Sequence, residues 1–443
     1  MHKNGFLTSL FYVVMVFLVV GLAVLVFFNY QTNTQQMAEL AAAEAAAAVT
    51  PTPPPTATPE PTPEPERNTD TVTLAFAGDI VGQAGLTTDA QKKSEDGEVS
   101  YDYSLQLAGM MDVLGGAALS SCTLVSTLAE QGDYGSYHMA ASFAKALSAS
   151  GFQMVNVATD CILDYGLDGL IETVSILNGE GLQTVGAYTS EAAHELLIAG
   201  VGELKVAFLS YTYGTGGNSA ANNPWCVDIL TTDYMTEQTT VDYDRIDSDI
   251  AAAKEAGADI VVCYVYWWDN TQYYTSARSD QQAVAEHLTE SGVDILIGGG
   301  VKAPQPIQVN TVERADGTRA NTVVCYSLSN LMSCFQDKYT NLSAVAKIDV
   351  SRDADTGEVW ISGVRYEPLF MLDTEDDGAY GEADERFWVL DAYEALAAYE
   401  ERQAGAVTSE AYEAISAGIE DLQSILGEEF DGANGGVTVG FPY

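Results

Sequence analysis

The stretch TVTLAFAGD, residues 71–79, is rich in β-branched and apolar residues and ends on a glycine and an aspartate. This composition is typical of a buried strand that opens into a loop at its carboxyl end. The same pattern recurs in FQMVNVATD (152–160), LKVAFLSYTYG (204–214), ADIVVCYVYWW (258–268), VDILIGGG (293–300) and NTVVCYSLSN (321–330). Helical patterns such as HMAASFAKALSASG (138–151) and SDQQAVAEHLTESG (279–292) lie between them. The alternation predicts an α/β domain with covered sheets and a site in its strand-end loops.

The charge balance is strongly acidic. The 443 residues include 63 acidic and 18 basic side chains, for a formal net charge of -45, while 47% of residues are hydrophobic. A chain with so few bases has no patch that would neutralise phosphates, so nucleic acid is excluded as a partner. The same field repels anionic polymers unless cations bridge them. The alternative that the acidity only keeps an exported protein soluble stays open.

The amino-terminal segment predicts a membrane anchor. No charged residue occurs between Lys3 and Glu39, and the 23 residues from Phe6 to Phe28 are long enough to cross a bilayer core of ~30 Å as a helix. Lys3 on the short side predicts a cytoplasmic amino terminus and an extracellular main domain, in a single-pass protein of the cell membrane. Signal-peptidase cleavage within AELAAAEAAAA (38–48) is the alternative.

Composition divides the chain into four parts. Residues 1–30 are the anchor, and residues 31–70 form an Ala-rich stalk and a Thr/Pro-rich linker that holds eight of the thirteen prolines. Such a linker favours polyproline II and spans roughly 50 Å. Residues 71–370 form the α/β domain, and residues 371–443 an acidic helical extension.

The extension predicts a helical hairpin over 382–404 and 409–426, with Gly405 between the two helices. Two apolar stripes have helical spacing, one through Trp388, Ala392, Leu396 and Tyr399 and one through Tyr412, Ile415, Ile419 and Leu422. Such stripes usually face their own domain, and a partner protein is the alternative.

Five motifs follow the strands in a fixed order. They are a Gly-Asp pair, an Asp-Tyr-Gly turn in TDCILDYG (159–166), a tryptophan in VYWWDN (265–270), a Gly and a Gln-Pro pair in IGGGVKAPQPI (297–307), and a Ser-Leu-x-Asn stretch at 327–330. In this order they resemble the CapA family of bacterial capsule-biosynthesis proteins, the poly-gamma-glutamate synthesis group, over about residues 71–367. The residues that match family positions are Gly78, Asp79, Asp164, Tyr165, Gly166, Trp267, Gly298, Gln305 and Asn330.

The resemblance implies a four-layer α-β-β-α sandwich of the calcineurin-like metallophosphatase type, but this chain departs from the family at the metal-binding positions. The departures are Asp160 for an asparagine, Cys161 and Tyr266 for histidines, Gly299 or Gly300 with Lys302 for two more histidines, and Glu130 one place late for a glutamate. A two-metal phosphoesterase needs imidazoles and carboxylates. Of the four histidines, His2, His138, His194 and His287, none is at a motif position. We therefore expect a retained fold without the metal chemistry.

The Asp-Tyr-Gly turn has a local explanation. Asp164 is expected to cap the turn and Gly166 to take a positive φ, so their retention favours fold over catalysis. Cys161 has no neighbouring base in the motif set and is not expected to be a nucleophile.

Two alternatives remain for the site. In the first, Asp79 and Asp160, with Glu130 or Asp164, form an all-oxygen site for Mg²⁺, Mn²⁺ or Ca²⁺, and Lys302 faces a phosphate or carboxylate. This metal-dependent hydrolase is the only alternative that calls for a cofactor. In the second, the domain binds cell-wall glycan through aromatic residues that suit sugar stacking. Those residues are Tyr266, Trp267, Trp268, Tyr273 and Tyr274.

The six cysteines match no zinc motif and no dense disulfide scaffold. We expect most to be buried thiols, with Cys122 and Cys161 able to pair if their strands are neighbours. The expected function is that of a membrane-anchored, non-catalytic scaffold or binding component of an envelope-polymer system, with that machinery or cell-wall glycan as its partner.

Overall fold

The computed structural model describes residues 67–267, 273–315, 317–381 and 385–442. The predicted anchor, stalk and Pro-rich linker lie outside these residues, apart from the last few of the linker. In the described ranges, no helix combines the length and the apolar composition that a membrane crossing requires.

Strands and short helices alternate along the described chain. The strands are β1 Thr69–Val81, β2 Gln91–Lys93, β3 Val99–Tyr101, β4 Leu119–Val125, β5 Thr127–Ala129, β6 His138–Ala140, β7 Met154–Asn156, β8 Gln183–Val185, β9 Leu197–Val201, β10 Leu204–Thr212, β11 Ile260–Tyr266, β12 Ile295–Gly299, β13 Pro304–Glu313, β14 Arg319–Leu328, β15 Asn330–Met332, β16 Leu342–Asp353, β17 Val359–Asp373, β18 Phe387–Asp391 and β19 Val437–Thr438. The α-helices are α1 Ala84–Asp89, α2 Met110–Val113, α3 Ser142–Ala149, α4 Gly166–Gly179, α5 Tyr243–Glu255, α6 Ser279–Ser291, α7 Ala392–Glu400 and α8 Ser409–Leu426.

Two large sheets hold most of these strands. The first has the order β18-β17-β16-β1-β4-β7-β8, with β15 paired to β1 and β19 paired to β17. It is parallel from β1 to β8 and antiparallel from β18 to β1. The second has the order β13-β14-β12-β11-β10-β9 and is parallel from β14 to β10. All six predicted strands are present, two in the first sheet and four in the second.

The two sheets pack face to face around one apolar core. Phe76 of β1 meets Tyr264 of β11 edge-on at 6.2 Å between ring centroids, and Ser121 of β4 shares a 2.6 Å hydrogen bond with the Tyr264 hydroxyl. Separate cores lie on the outer faces, one under α1 to α4 and one under α5 and α6. Helices, sheet, sheet and helices are thus stacked in that order, and the predicted mixed α/β fold is confirmed.

The predicted helix over 382–404 is wrong in its first part. Residues Phe387–Asp391 form β18, and Trp388 lies in this strand opposite Leu372 of β17. The apolar run FWVL is buried by this pairing, and strand pairing decides over helical spacing in such a run. Asp391 then caps α7 by accepting from the Glu394 N–H at 2.9 Å.

The second stripe of the hairpin packs on its own domain, as predicted. Ile415, Ile419 and Leu422 of α8 are buried in the core between the sheets.

The helix predicted over 138–151 needs a smaller correction, because His138–Ala140 forms β6 and the helix begins only at Ser142. The helix predicted over 279–292 is present as α6 and ends at Gly292, whose φ is +134°.

Candidate functional site

The first strand ends in a tight approach of two backbones. Asp79 lies opposite Asn330 where β1 pairs in parallel with β15, and the Asp79 N–H donates to the Ser329 carbonyl at 2.8 Å. A Cβ on Gly78 would come within 2.3 Å of the same carbonyl, so only glycine fits there. Ser329 itself has a φ of +63°. The Gly-Asp motif therefore brings the Asp79 carboxyl beside Asn330.

A strand of the second sheet completes the surroundings of Asp79. The Gly300 N–H, just past β12, donates to Asp79 Oδ2 at 2.6 Å. A Cβ on Gly299 would lie 2.6 Å from Asp79 Oδ1, so this glycine makes room for the carboxyl. Lys302 follows two residues later, with its Nζ 4.2 Å from the centre of the Phe335 ring.

Asp160 reaches the same place from the end of β7. The Tyr266 hydroxyl at the end of β11 lies against its carboxylate, and hydrogen bonding between them offsets part of the effect of burial on the Asp160 pKa. Burial raises that pKa to about 6. Burial also raises the pKa of Asp79 to about 7, opposed by the Gly300 N–H and reinforced by the charge of Asp160.

These side chains line one small cavity of about 40 Å³. Its lining residues are Asp79, Val81, Val125, Tyr137, Asp160, Tyr266, Gly300, Lys302, Asn330 and Phe335. The cavity lies where the carboxyl ends of strands from both sheets meet, as the strand-end loops predicted. Five of the predicted site residues are therefore brought together: Asp79, Asp160, Tyr266, Lys302 and Asn330.

Two polar atoms of the lining residues lack partners. Asp160 Oδ1 and Asn330 Nδ2 are both buried and form no hydrogen bond with the described part of the chain. A buried polar group left unpaired costs about 1–3 kcal/mol, so such atoms are rare in native proteins without a reason. They are the strongest sign that this cavity holds something.

The Cys161 side chain has a packing role beside the cavity. Its side chain is buried with Val81, Val125 and Tyr266 beside the cavity, and burial raises the pKa of its thiol well above the ordinary value. The six cysteines are all free thiols, so the pairing considered for Cys122 and Cys161 is not formed. Cys122 lies in β4 and Cys161 in the turn that follows β7, and their side chains are buried in two different apolar clusters.

The carboxylates proposed to complete an all-oxygen site lie elsewhere. Glu130 is exposed and lines a different groove with Lys145 and Glu172. Asp164 is exposed and accepts a hydrogen bond from Asn218 Nδ2 at 3.0 Å. Neither lines the cavity of Asp79 and Asp160.

The Asp-Tyr-Gly turn is explained only in part by the sequence argument. Gly166 has a φ of +68°, as predicted. The expected capping of the turn by Asp164 is not what its side chain does, since Asp164 Oδ1 accepts from Asn218 Nδ2 at 3.0 Å. Tyr165 is half exposed and stacks on His138 with ring centroids 3.8 Å apart.

Three further motif residues, Trp267, Gly298 and Gln305, form packing contacts and hydrogen bonds between neighbouring elements. The Trp267 Nε1–H donates to the Tyr326 carbonyl at 2.9 Å, and a Cβ on Gly298 would meet that nitrogen at 2.1 Å. Gln305 accepts from Gln281 Nε2 at 3.0 Å and donates to the Ser276 carbonyl at 3.0 Å. These hydrogen bonds join the end of β11 to β14 and α6 to β13, and Gly298 of β12 leaves room for the Trp267 side chain.

The aromatic cluster proposed for glycan stacking is not an exposed surface. Tyr266 and Trp267 are buried, Trp268 lies outside the described residues, and Tyr273 donates to Asp337 Oδ2 at 2.5 Å. Tyr274 alone of the four that are described is exposed. Burial at the end of β11 explains Tyr266 and Trp267 of this run.

Sequence reasoning missed Tyr137 and Phe335, which close the cavity. Tyr137 has a φ of +59°, a strained conformation for a residue with a bulky side chain. No sequence signal marks Tyr137, because its loop pairs with neither large sheet.

Two of the histidines lie away from the cavity. His194 Nε2 lies 3.1 Å from Asp228 Oδ1, and His287 Nε2 lies 2.9 Å from Asp247 Oδ1.

The residues present do not fit a two-metal centre. In the part of the chain that the structure describes, no group of three or more His, Cys, Asp or Glu side chains is placed to hold a metal ion. The cavity offers two carboxylates, and the third charged residue that lines it, Lys302, carries a positive charge that opposes the binding of a metal ion.

Comparisons with known proteins agree with the motif order. Residues 73–334 match the family described as bacterial capsule synthesis protein PGA_cap. The chain is 27% identical over 192 residues to "PGA biosynthesis protein CapA" of Bacillus subtilis (strain 168), covering 42% of this chain and 44% of that protein. It is 26% identical over 157 residues to "Capsule biosynthesis protein CapA" of Bacillus anthracis, covering 35% and 36%. The matches therefore span less than half the length of these relatives.

Among solved structures, a phosphatase from Mycoplasma pneumoniae is 11% identical with a TM-score of 0.38, over 68% of this chain and 94% of that one. A 5'-nucleotidase precursor from Thermus thermophilus is 12% identical with a TM-score of 0.39, over 80% and 59%. Likenesses this distant carry no argument about the chemistry. The family match, in contrast, covers more than half of the chain and confirms the resemblance to CapA proteins: this chain belongs to the bacterial capsule synthesis protein PGA_cap family.

Proposed function

We propose that this chain is a non-catalytic component of an envelope-polymer biosynthesis system, a capsule or poly-gamma-glutamate system in keeping with its family. Its cavity binds a small group rather than hydrolysing a phosphoester. The family membership supports the biological setting. The composition of the cavity supports the absence of catalysis.

One observation carries this proposal. Asp79 and Asp160 share their cavity with the side chain of Lys302, in a family position where the resemblance implies a histidine. A lysine among the residues that line the cavity opposes the binding of a divalent cation there by charge repulsion. The carboxylates that would complete a cation site, Glu130 and Asp164, face other surfaces.

We also propose that the protein is tethered to the cell membrane with residues 71–443 outside the cell. The uncharged run from Phe6 to Phe28 supports a membrane anchor, and the single Lys3 before it supports a cytoplasmic amino terminus. Digestion of intact cells with an added protease tests the orientation. We expect loss of the carboxyl-terminal epitope without cell lysis, and protection of that epitope would contradict the proposal.

The proposed absence of catalysis is tested on the purified full-length chain. The experiment combines metal analysis, calorimetric titration with Mn²⁺, Mg²⁺ and Ca²⁺, and assays on p-nitrophenyl phosphate and bis-p-nitrophenyl phosphate. We expect neither tight cation binding nor turnover above a buffer blank. A double variant, Asp79→Ala with Asp160→Ala, is the control.

Metal-dependent turnover that disappears in the double variant would overturn the proposal. It would establish instead the alternative of a carboxylate-only Mg²⁺, Mn²⁺ or Ca²⁺ hydrolase. Turnover that persists in the double variant would be assigned to a contaminating phosphatase and would leave the proposal standing.

A further inference from the structure

The cavity is lined by two buried polar atoms that lack partners and by a lysine that forms no ion pair with the described residues. Asp160 Oδ1 is a buried acceptor and Asn330 Nδ2 a buried donor, and neither forms a hydrogen bond with the described residues. Lys302 forms none of the ion pairs found among the described residues, and its Nζ lies over the Phe335 ring instead. An acceptor that carries charge, a donor and a cation therefore line one space of about 40 Å³.

The backbone around this space is strained at two points. Tyr137 of the lining has a φ of +59°, and Ser329, next to Asn330, has a φ of +63°. Residues with side chains adopt this conformation only at an energetic cost, and strain of this kind is concentrated at ligand clamps and active sites. Positive φ also occurs at Gln238, Tyr339 and Arg402, which do not line the cavity, so the inference of a ligand rests on the unpaired atoms and the strain only accords with it.

The ligand that satisfies all three groups carries both charges. A cationic N–H group pairs with Asp79 and Asp160, and an anionic oxygen pairs with Lys302 and Asn330 Nδ2. We infer that the cavity binds the zwitterionic ammonium-carboxylate group of an α-amino acid, its ammonium on Asp79 and Asp160 and its carboxylate on Lys302 and Asn330. This inference rests on the proposed binding function and names its ligand class.

Other ligand classes leave part of the site unpaired. A phosphate or a polyanion would face the two carboxylates and the overall charge of -45. A divalent cation would face Lys302 and find two carboxylate ligands. A neutral sugar would leave the buried charges without counter-charges. A zwitterion has no net charge, so the overall field of the protein does not repel it.

The volume of the cavity limits the size of the ligand. About 40 Å³ is a few times the ~10–15 Å³ that one water needs, which is the scale of the ammonium, α-carbon and carboxylate of one amino acid. Lys302 and Asp160 are partly exposed, so the cavity is not sealed from solvent. Any side chain of the ligand therefore extends outward, and glycine is the smallest probe that tests the inference.

The test is calorimetric titration of the full-length chain in metal-free buffer with EDTA. The probes are glycine, methylamine, which keeps only the ammonium, and acetate, which keeps only the carboxylate. We expect glycine to bind at least tenfold more tightly than either half. Lys302→Met should weaken glycine binding at least tenfold without weakening methylamine binding, since it removes a charge that repels the methylamine cation. Lys302→Arg should restore part of the glycine affinity.

Asp160→Asn is the complementary variant, because the amide keeps the shape and removes the charge that faces the ammonium. Asp160→Asn should weaken the binding of both glycine and methylamine at least tenfold. Asp164→Asn is the matched control, since Asp164 is four residues along the same loop, outside the cavity, and paired with Asn218. It should bind glycine as the unmodified chain does. Thermal melting of each variant shows that it is folded.

Glycine that binds no more tightly than methylamine or acetate would overturn the inference. So would glycine affinity that Lys302→Met leaves unchanged in a folded variant. These outcomes are separate from failure of the proposed function, which would appear as metal-dependent phosphoester turnover in the assays without EDTA. A chain that neither turns over phosphoesters nor binds glycine would keep the proposed function and lose this inference.

Discussion

The backbone N–H of Gly300 donates a 2.6 Å hydrogen bond to Oδ2 of Asp79, and this bond joins the carboxyl end of β1 in one sheet to that of β12 in the other. Both residues line the same cavity. The site is therefore built on the packing of two sheets, and its geometry depends on contacts that neither sheet makes alone.

The pH dependence of folding is expected to follow Asp79. Burial raises its folded-state pKa to about 7, whereas an unfolded chain has a value of about 3.9. The folded protein holds a proton that the unfolded chain has released, so stability falls as pH rises from about 4 to about 7 and levels off above. At about 1.4 kcal/mol per pKa unit the loss is on the order of 4 kcal/mol.

Urea unfolding at pH 4 and pH 8 measures this loss, together with the smaller one from Asp160, whose folded-state pKa burial raises to about 6. Asp79→Asn keeps an acceptor for the Gly300 N–H and removes the titration, so we expect it to be more stable than the unmodified chain at pH 8 and to have a flatter pH profile. Equal pH profiles for the two proteins would contradict the assignment of the pH dependence of stability to Asp79.

Gly299 is expected to tolerate no side chain. A Cβ at this position would lie 2.6 Å from Asp79 Oδ1, in a site where the carboxyl is held on its other side by Gly300. Gly299→Ala should cost about 1–3 kcal/mol by overpacking. Gly200→Ala is the matched control, since Gly200 is exposed in β9 and has open space where a Cβ would lie. Chemical denaturation of both variants checks the difference, and equal stabilities would exclude the close contact.

The cysteines are expected to be unreactive in the folded protein. Five of the six are buried, and burial raises the pKa of Cys334, the partly exposed one, to about 12. A thiol reagent such as Ellman's reagent should therefore modify at most one thiol per folded chain, and all six after denaturation without reductant. Recovery of only four thiols after denaturation would reveal a disulfide and contradict the free thiols of the structure.

The carboxyl-terminal helix is expected to contribute to the core between the sheets. Ile415 of α8 is fully buried there. Ile415→Ala should lower the free energy of unfolding by about 2–5 kcal/mol, because it removes apolar contacts and leaves a cavity. Glu413→Ala, on the exposed face of the same helix, should change it by less than about 0.5 kcal/mol. Similar effects of the two substitutions would show that α8 is not part of the cooperative unit.

Local sequence pattern was sufficient for the strands that form the site. Segments such as 71–79 and 293–300 carry enough apolar and β-branched residues to be buried strands in any arrangement, and Gly166 takes the positive φ that its turn requires. Trp388 shows the limit of pattern, because its spacing fits a helix while pairing with β17 makes it a strand residue. The choice depended on a partner strand that is distant along the chain.

The sequence by itself determined the fold class, the family and the replacement of three family histidines by Cys161, Tyr266 and Lys302, since these follow from composition and from motifs in a fixed order. Only the tertiary structure decided which carboxylates meet. Asp79 and Asp160 share a cavity, while Glu130 and Asp164, which are also carboxylates at or near motif positions, face other surfaces. The reason is that strand register and sheet packing set which side chains converge, and neither is encoded in the spacing of residues along the chain.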